Sequence, residues 1–254
     1  MLANVMKQRL QRGETLFGTL IDSYSGDMIE IVGLAGFDFA IIDCEHSPAD
    51  PEVVVNLLRA AESRNLPAVV RVPNSLPSTI LKHMDVGPSG IMAPLVHTAV
   101  DAKAVVDAAK YGPRGIRGTA MMRGADYGFV PATEYFQRSN EGTFVIVQVE
   151  SIEGIRNLQA IAETPDVDAV LIGPYDLAQT MGLPGQVESP EVLGVIEKAA
   201  KTIAAAGKAP GVGGIVNLDN FRRFQDWGFR ILQYSADLYI FANAAREAVA
   251  RFRG

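Results

Sequence analysis

FVIVQVESIEGIRNLQAIAETPDVDAVLIGPYD, residues 144–176, contains two apolar runs joined by a helical pattern. A strand, a helix and a second strand in this order form a βαβ unit, in which the two strands lie parallel. Glu150 follows the first run, and Asp176 closes the stretch after the second. Since the strands of such a unit bring their carboxyl ends to one edge of the sheet, we expect the two carboxylates to lie close together.

The alternation of side chains along a strand refines this expectation. Gln148 and Glu150 share one face, and Asp176 shares a face with Ile172 if residues 170–176 stay extended. Two carboxylates with open positions around them suit a hard divalent ion that keeps water or substrate oxygens as its other ligands. The sequence therefore predicts a metal site formed by Glu150 and Asp176.

The same pattern of strand and helix repeats along the chain eight times. The predicted strands are approximately Phe17–Ile21, Phe39–Asp43, Ala68–Val72, Gly90–Val96, Phe144–Val149, Ala169–Ile172, Ala209–Val212 and Arg230–Tyr234. The predicted helices are Met28–Leu34, Pro51–Arg64, Ser75–Met84, Ala99–Ala109, Ile152–Ala162, Pro190–Ala206, Leu218–Trp227 and Leu238–Phe252. A further short helix, Ala3–Gln11, is expected to close the floor. Eight units in 254 residues predict one domain, 1–254, with the α/β fold of a (β/α)8 TIM barrel.

The departure from a regular barrel is a long loop between strands 4 and 5, residues 111–142. Loops of this length are uncommon unless they are functional or flexible. Arg114, Arg117 and Arg123 lie in it among glycines and prolines. This composition suits a lid above the site that contacts an anion. A surface excursion or a contact between subunits is the alternative.

The composition, with 48% hydrophobic and 20% charged residues, is that of a soluble globular protein. A net charge of −6 argues against nucleic acid as a partner. Charged residues interrupt the first 18 positions, which argues against a signal peptide, and no apolar run approaches the length of a membrane span. Cys44 is the single cysteine, which excludes an intrachain disulfide. We therefore expect a cytoplasmic protein without a membrane partner.

Barrel active sites form at the carboxyl ends of the strands, and the second predicted strand ends in Asp43, Cys44, Glu45 and His46. An aspartate beside a histidine can fix its tautomer and raise its basicity, as acid–base catalysis near neutral pH requires. Asp43 and His46 are therefore candidate catalytic residues. The alternative is a histidine that only caps the strand or the next helix.

Arg71 ends the third predicted strand directly after a buried run. A buried arginine is costly without a partner. An anionic ligand would satisfy it, and a guanidinium there could stabilise an enolate oxygen. The alternative partner is a carboxylate of the neighbouring strand, Asp43 or Glu45.

The positions of the lysines and of the single cysteine argue against two catalytic mechanisms. The seven lysines fall on helical patterns or at the start of strand seven, never at the carboxyl end of a strand. A Schiff-base aldolase requires a lysine there, so metal-assisted enolate chemistry is favoured. Cys44 has no electropositive neighbour other than His46, which argues against a thiol nucleophile. Gly173 and Pro174, after strand six, let the backbone approach a ligand closely.

Five motifs occur in register along nearly the whole chain. They are Asp43–Pro48 (DCEHSP), Arg71–Pro73 (RVP), Gly112–Gly118 (GPRGIRG), Gln148–Glu150 (QVE) and Gly173–Leu177 (GPYDL). Together they resemble the HpcH/HpaI aldolase family of class II pyruvate aldolases. The resemblance implies a carbon–carbon lyase that reversibly cleaves a 4-hydroxy-2-oxo acid to pyruvate, or a close 2-oxo acid, and an aldehyde. The alternatives are a thioester lyase of the citrate lyase or malyl-CoA type, and a barrel without catalytic activity.

The resemblance also implies a role for each candidate. Glu150 and Asp176 would bind Mg²⁺ or Mn²⁺, with Co²⁺ as a further candidate, and the ion would chelate the 2-oxo acid. Arg71 would hold the keto or enolate oxygen. His46, oriented by Asp43, would take part in proton transfer at the aldol oxygen.

Further implications concern the substrate and the assembly. Gln148 and the backbone near Gly173 and Pro174 would position the pyruvyl group. Family members are usually hexamers, trimers of dimers with exchanged C-terminal helices, so a homo-oligomer is expected. Asp85 resembles a residue that reaches a neighbouring subunit's site.

Two positions depart from the best-known members of the family. Cys44 stands where glycine is common, and Tyr175 stands where a small residue is common. Tyr175 could narrow the pocket or hydrogen-bond a hydroxylated substrate, and Arg123 could bind a distal carboxylate.

Overall fold

Eight parallel strands form a closed barrel in the computed structural model, which describes residues 5–215 and 217–254. The strands are β1 (Leu16–Ile21), β2 (Phe39–Asp43), β3 (Ala68–Arg71), β4 (Gly90–Ala93), β5 (Phe144–Val149), β6 (Ala169–Ile172), β7 (Ala209–Ile215) and β8 (Ile231–Ala236). Each strand pairs with the next, and β8 pairs with β1. The predicted (β/α)8 TIM barrel is confirmed.

Twelve α-helices accompany the strands in the described residues. They are α1 (Val5–Gln11), α2 (Gly26–Leu34), α3 (Pro51–Ser63), α4 (Pro77–Asp85), α5 (Ala99–Ala109), α6 (Ala132–Gly142), α7 (Ile152–Arg156), α8 (Leu158–Ala162), α9 (Pro174–Thr180), α10 (Pro190–Ala205), α11 (Asp219–Asp226) and α12 (Asp237–Arg253). A 3-10 segment, Arg123–Gly128, lies between α5 and α6. Within residues 5–215 and 217–254, no helix is both long and apolar enough to cross a membrane.

Side-chain alternation divides the apolar residues between two cores. One core fills the interior of the barrel and includes Ile41, Val69 and Ile146. The other packs between the strands and the helices and includes Ile42 and Val70. All five residues of β2 are buried, as is usual for a parallel strand covered by helices.

The barrel is closed at the amino ends of its strands. Met6 of α1 belongs to the interior core, which confirms the predicted floor helix for residues 5–11; Ala3 and the residue after it lie outside the described residues. Higher in the barrel, a Cβ at Gly18 would lie 2.4 Å from the ring of Phe39. The ring therefore fills the space that a side chain at Gly18 would take.

Three local predictions differ from the structure. The helix predicted over Ile152–Ala162 is divided into α7 and α8 at Asn157, whose side chain donates to the carbonyl of His97 at 2.8 Å. The fourth strand ends at Ala93 instead of Val96, because Leu95 adopts a φ of 56° that no strand contains. Helices α6 and α9 were not predicted.

The loop between β4 and β5 lies at the amino ends of the strands, because it follows α5 and leads into β5. Arg114 forms an ion pair with Asp166, which precedes β6. Arg123 donates to the carbonyl of Val86, which precedes β4, at 2.8 Å. The prediction of a lid above the chain's own site is therefore wrong, since barrel sites form at the opposite end.

The same loop has a small core of its own. Tyr111, Tyr135 and Phe136 pack their rings together with centroids 4.5 to 5.8 Å apart. The guanidinium of Arg117 lies 4.5 Å above the ring of Tyr111, and its Nη2 donates to Asp85 at 2.7 Å. These contacts make the segment a folded extension of the barrel floor.

Candidate active site

The interior face of the strands changes from apolar to polar at their carboxyl ends. Asp43 takes the place that follows Ile41 on this face, and Arg71 takes the place that follows Val69. We term four such residues the polar ring: Asp43, Arg71, Gln148 and Glu150. Their exposed fractions are 0%, 7%, 4% and 3%. The ring lies where barrel enzymes bind their substrates.

Asp43 and Arg71 form a buried two-point ion pair. The strand register places them side by side, and Arg71 Nε and Nη2 donate to the two oxygens of Asp43 at 2.8 and 2.7 Å. Burial acts to raise the pKa of Asp43, but the hydrogen bonds and charge of Arg71 outweigh it, so this pKa is lowered. The pair uses two of the five N–H donors of the guanidinium. Arg71 therefore has a carboxylate partner on the neighbouring strand, which was the alternative considered from the sequence. It also keeps N–H donors for a ligand.

The ring of His46 lies apart from Asp43. Its side chain is 68% exposed, and its Nε2 lies 3.8 Å from Glu45 Oε2. From His46, Asp43 accepts the backbone N–H, at 3.3 Å, and not the imidazole. The expected contact that would orient the imidazole is absent because both Asp43 oxygens face Arg71.

Glu150 is fixed by donors on two sides. Its Oε1 accepts the N–H of Leu95 at 3.0 Å, and its Oε2 accepts the amide of Gln148. Burial raises the pKa of Glu150; the two donors act against this, and the charge of Asp176 adds to it. The left-handed backbone of Leu95 is costly for a residue with a Cβ, and strain of this kind clusters at functional sites.

Asp176 lies on the first turn of α9 and not on an extension of β6. Strand β6 ends at Ile172, and Pro174 occupies the first helical turn, where its fixed φ favours a helix start. A Cβ at Gly173 would lie 2.6 Å from Glu150 Oε2 and 3.1 Å from Gln148 Nε2. Glycine therefore lets the start of α9 pass directly against Glu150.

The donor set of Glu150 and Asp176 fits a hard divalent cation. After burial, which is the largest influence, the charge of Asp176 also raises the pKa of Glu150, so the two negative charges repel each other. A divalent cation would relieve this repulsion. The described part of the chain contains no group of three or more His, Cys, Asp or Glu residues able to hold a metal. An ion here would complete its shell with water or substrate oxygens, as Mg²⁺ usually does.

Tyr175 lies at the outer edge of this site. Its side chain is half-exposed, and a Cβ at Gly214 would lie 3.4 Å from its Cδ2. It lines a small cavity with Glu188 and Asn220, which are joined by a hydrogen bond of 2.7 Å. None of the residues that line this cavity belongs to the polar ring, and Tyr175 adjoins the site through Asp176, its neighbour on the first turn of α9.

Arg123 and Asp85 do not join the polar ring of their own chain. Arg123 pairs with Glu62 at the end of α3, and Asp85 pairs with Arg117. Both lie at the amino ends of the strands. Their predicted contact with substrate therefore requires the site of a second copy.

The positions of Cys44 and the lysines support the two exclusions made from the sequence, a thiol nucleophile and a Schiff-base lysine. Burial, followed by the charge of Asp43, raises the pKa of Cys44 to about 12, so its thiol stays protonated near neutral pH. The most buried lysine, Lys110, donates to the carbonyls of Asn140 and Thr143 at the opposite end of the barrel.

Sequence reasoning missed three polar residues near the site. Gln233 accepts the N–H of Gly214 at 2.8 Å, and Asp237 accepts the N–H of Asp22 at 2.9 Å. The alternation along β1 was sufficient to find Asp22, which takes the place that follows Leu20 on the interior face. Asp237 gave no comparable signal because it begins a helix.

The fold and the polar ring define the class of protein, a (β/α)8-barrel enzyme with its site at the carboxyl ends of the strands. Residues 17–244 match the profile described as HpcH/HpaI aldolase/citrate lyase. The chain belongs to this family of carbon–carbon lyases.

Similar proteins agree with this assignment. The 5-keto-4-deoxy-D-glucarate aldolase of Klebsiella pneumoniae is 36% identical over 225 residues, 88% of this chain and 87% of the relative. The hydroxypyruvate/pyruvate aldolase of Chromohalobacter salexigens is 36% identical over 244 residues, 95% of each chain. The crystal structure of an HpcH/HpaI aldolase/citrate lyase family protein from Burkholderia cenocepacia superimposes with a TM-score of 0.93 at 34% identity, covering 99% of this chain and 100% of that one.

Proposed function

We propose that this protein is a class II, metal-dependent aldolase that reversibly cleaves a 4-hydroxy-2-oxo acid to pyruvate, or a close 2-oxo acid, and an aldehyde. The observation that carries the proposal is the polar ring, where a buried arginine and a buried glutamate face the same interior space. Two relatives support the substrate class, since they are named as aldolases of 5-keto-4-deoxy-D-glucarate and of hydroxypyruvate and pyruvate.

Glu150 and Asp176 would hold Mg²⁺ or Mn²⁺. A bound divalent ion supplies Lewis-acid polarisation of the 2-oxo group, an effect worth several kcal/mol. Arg71 donates its free N–H groups to the oxygen that gains negative charge when the carbon–carbon bond breaks. Asp43 holds the guanidinium at two points, so little reorganisation is needed during the reaction.

Two further residues shape the pocket around the 2-oxo acid. Gln148 fixes Glu150 through its amide. Gly173 leaves room for the backbone of α9 to pass close to the ligand. We place the aldehyde part toward Tyr175, which is half-exposed and adjoins Asp176 on the first turn of α9.

We also propose that the protein works as a homo-oligomer, a hexamer as in its family. Within the described residues, Asp237 is the one buried residue of α12. The apolar side chains Leu238, Tyr239, Phe241 and Phe252 are 49% to 91% exposed. A second copy would cover this surface, and it would bring Asp85 and Arg123 within reach of a neighbour's site. The proposed compartment is the cytoplasm.

Exchange of the methyl protons of pyruvate in deuterated water, followed by NMR, tests this function without a choice of aldehyde. We expect exchange with Mg²⁺ or Mn²⁺ and its loss with a chelator. Glu150→Gln and Asp176→Asn should abolish it, whereas Glu153→Gln, an exposed glutamate on α7, should not. Absence of exchange with any metal, or full exchange by Glu150→Gln, contradicts the proposal. Faster cleavage of a malyl thioester than of 5-keto-4-deoxy-D-glucarate would favour the thioester lyase.

A further inference from the structure

Glu150 and Asp176, the two carboxylates of the proposed cation site, belong to separate elements. Glu150 follows β5 directly, whereas Asp176 is exposed on the first turn of α9. The position of Asp176 opposite Glu150 is therefore set by the way in which α9, a helix of seven residues, is held against the end of β5. A contact that holds α9 there acts on the cation site through Asp176.

The segment that carries Glu150 is itself fixed from the side of β4. The N–H of Leu95 donates to Glu150 Oε1 at 3.0 Å. The imidazole Nδ1 of His97 lies 2.8 Å from the hydroxyl of Ser151, and the carbonyl of His97 accepts the amide of Asn157 at 2.8 Å. This segment thus provides a fixed support for α9.

Helix α9 is tied to this support at both of its ends. At its start, the N–H of Gly173 donates to the carbonyl of Val149 at 3.2 Å. At its last residue, the hydroxyl oxygen of Thr180 accepts the N–H of Ile152 at 3.1 Å. Ile152 is the first residue of α7, so its N–H has no partner within that helix. The contact at the start of α9 is made by the backbone, whereas the contact at its end depends on one side chain.

The bond between Ile152 and Thr180 lies next to the two carboxylates along the chain. Thr180 follows Asp176 by four residues, so the two side chains share a face of α9. Ile152 follows Glu150 by two residues. The hydroxyl of Thr180 donates its own proton to the carbonyl of Leu177 at 2.9 Å, which orients the oxygen that accepts the N–H of Ile152.

The folding of α9 does not depend on this bond. Leu177 and Ala178 are buried in the core between the strands and the helices, and they hold the helix against the barrel. Thr180 is exposed, so water can replace its oxygen as the partner of the N–H of Ile152. A hydrogen bond in such a position contributes little net stability, but it restricts where the end of α9 can lie.

We propose that Thr180 is a positioning residue for the cation site. Its bond to Ile152 holds α9, and with it Asp176, in place opposite Glu150, and so sets the affinity for the divalent ion. Residues behind the ligands commonly tune metal sites in this way. The inference rests on the proposed aldolase function, because that function assigns the cation to Glu150 and Asp176.

Binding of Mn²⁺ to the metal-free, full-length protein tests the proposal without a measurement of activity. Electron paramagnetic resonance of the unbound ion gives the Kd. Thr180→Val keeps the shape of the side chain and removes the hydroxyl, and we expect it to raise the Kd about tenfold, as loss of an outer partner of a metal site does. Thr180→Ser keeps the hydroxyl and should bind with the wild-type Kd. The Mn²⁺ concentration for half-maximal exchange of pyruvate should rise with the Kd.

Thr202→Val, on α10, is the matched control. The hydroxyl of Thr202 donates to the carbonyl of Lys198 at 3.2 Å, a bond within its own helix like that of Thr180 to Leu177. Among the residues that the structure describes, it is the one side-chain hydrogen bond of Thr202, so this variant should bind Mn²⁺ like the wild type. Thermal unfolding with a chelator should give Thr180→Val the Tm of the metal-free wild type.

The outcomes distinguish this inference from the function on which it rests. An unchanged Kd in Thr180→Val, with normal binding by the wild type, overturns the role of Thr180 and leaves the aldolase intact. Equal increases of the Kd in Thr180→Val and Thr180→Ser, or a lower Tm of metal-free Thr180→Val, show a structural role and also overturn it. Absence of Mn²⁺ binding by the wild type overturns the cation site of the proposed function, and this inference with it.

Discussion

At the scale of single residues, the site depends on pairs from neighbouring strands. Asp43 and Arg71 share one register position, and Gln148 and Glu150 share one strand face. The pairing fixes both partners before a ligand arrives, which reduces the ordering that binding requires. Single substitutions should therefore act on the partner as much as on the residue replaced.

Arg71→Ala is expected to lower both activity and stability. Asp43 would remain buried without its partner, and breaking a buried ion pair costs about 3–5 kcal/mol. Because Arg71 lowers the pKa of Asp43 below its usual 3.8, the pair stabilises the fold above about pH 4, and this contribution is lost as pH falls below that value.

Thermal unfolding at several pH values measures this effect. The difference in Tm between wild type and Arg71→Ala should be larger near pH 7 than near pH 3. Arg59→Ala, at an exposed arginine on α3, controls for the loss of one positive charge. A difference in Tm that does not change with pH would contradict the assigned role of the pair.

Gly173→Ala is expected to displace Glu150. The added Cβ would lie 2.6 Å from Glu150 Oε2, closer than real Cβ atoms approach. Metal-dependent exchange of pyruvate should fall well before the fold is lost. Gly194→Ala on α10 is the matched control, because a Cβ there meets nothing within 4 Å. Equal exchange rates in the two variants would show that Glu150 has no need of the space above Gly173.

At the scale of elements, the sequence predicted the strands better than the connections. Period-two alternation ends in polar residues on β2, β3 and β5, and it identified the polar ring directly. The alternation could not show that Asp176 lies in the first turn of a helix. The residues Gly173 and Pro174 are compatible both with the end of a strand and with the start of a helix. The choice of Arg71 over His46 as the partner of Asp43 depends on strand register, which no local sequence pattern contains.

The position of the long loop is a second case. The arginines predicted an anion contact, but topology decides which end of the barrel a loop occupies. A segment that follows a helix and precedes a strand returns to the amino ends. Within its own chain, Arg114 therefore pairs with Asp166 instead of a substrate.

The exposed apolar residues of helix α12 are predicted to form a contact between subunits. Phe241 and Phe252 are 65% and 91% exposed, and exposed apolar surfaces of this kind usually mark an interface. The double variant Phe241→Glu/Phe252→Glu should lower the particle mass in sedimentation velocity, while Arg253→Glu should not. An unchanged mass would place the subunit contacts on another surface.

At the scale of the whole molecule, the two ends of the barrel have different tasks. Helix α1 and the interior core close the amino ends, and the polar ring opens at the carboxyl ends. The carboxylates of Glu150 and Asp176 oppose each other's charge there. Part of the stability of the folded chain should therefore depend on a cation.

Mg²⁺ or Mn²⁺ should raise the Tm of the whole protein. A ligand at 100 times its Kd stabilises a fold by about 2.7 kcal/mol, and each kcal/mol corresponds to roughly 2–4 °C for a chain of this size. Glu150→Gln should lose this increase, measured by differential scanning calorimetry with and without a chelator. An equal increase in both proteins would place the cation elsewhere.

The filled interior of the barrel also has a consequence for the order of events. Because Phe39 packs over Gly18 and Met6 lies beneath, the site is closed below and opens at the carboxyl ends of the strands. Everything that enters must leave by the same route, so the molecule that lies deeper has to arrive first and depart last. With the 2-oxo acid at the polar ring and the aldehyde nearer the opening, as proposed, the 2-oxo acid would bind before the aldehyde and leave after it.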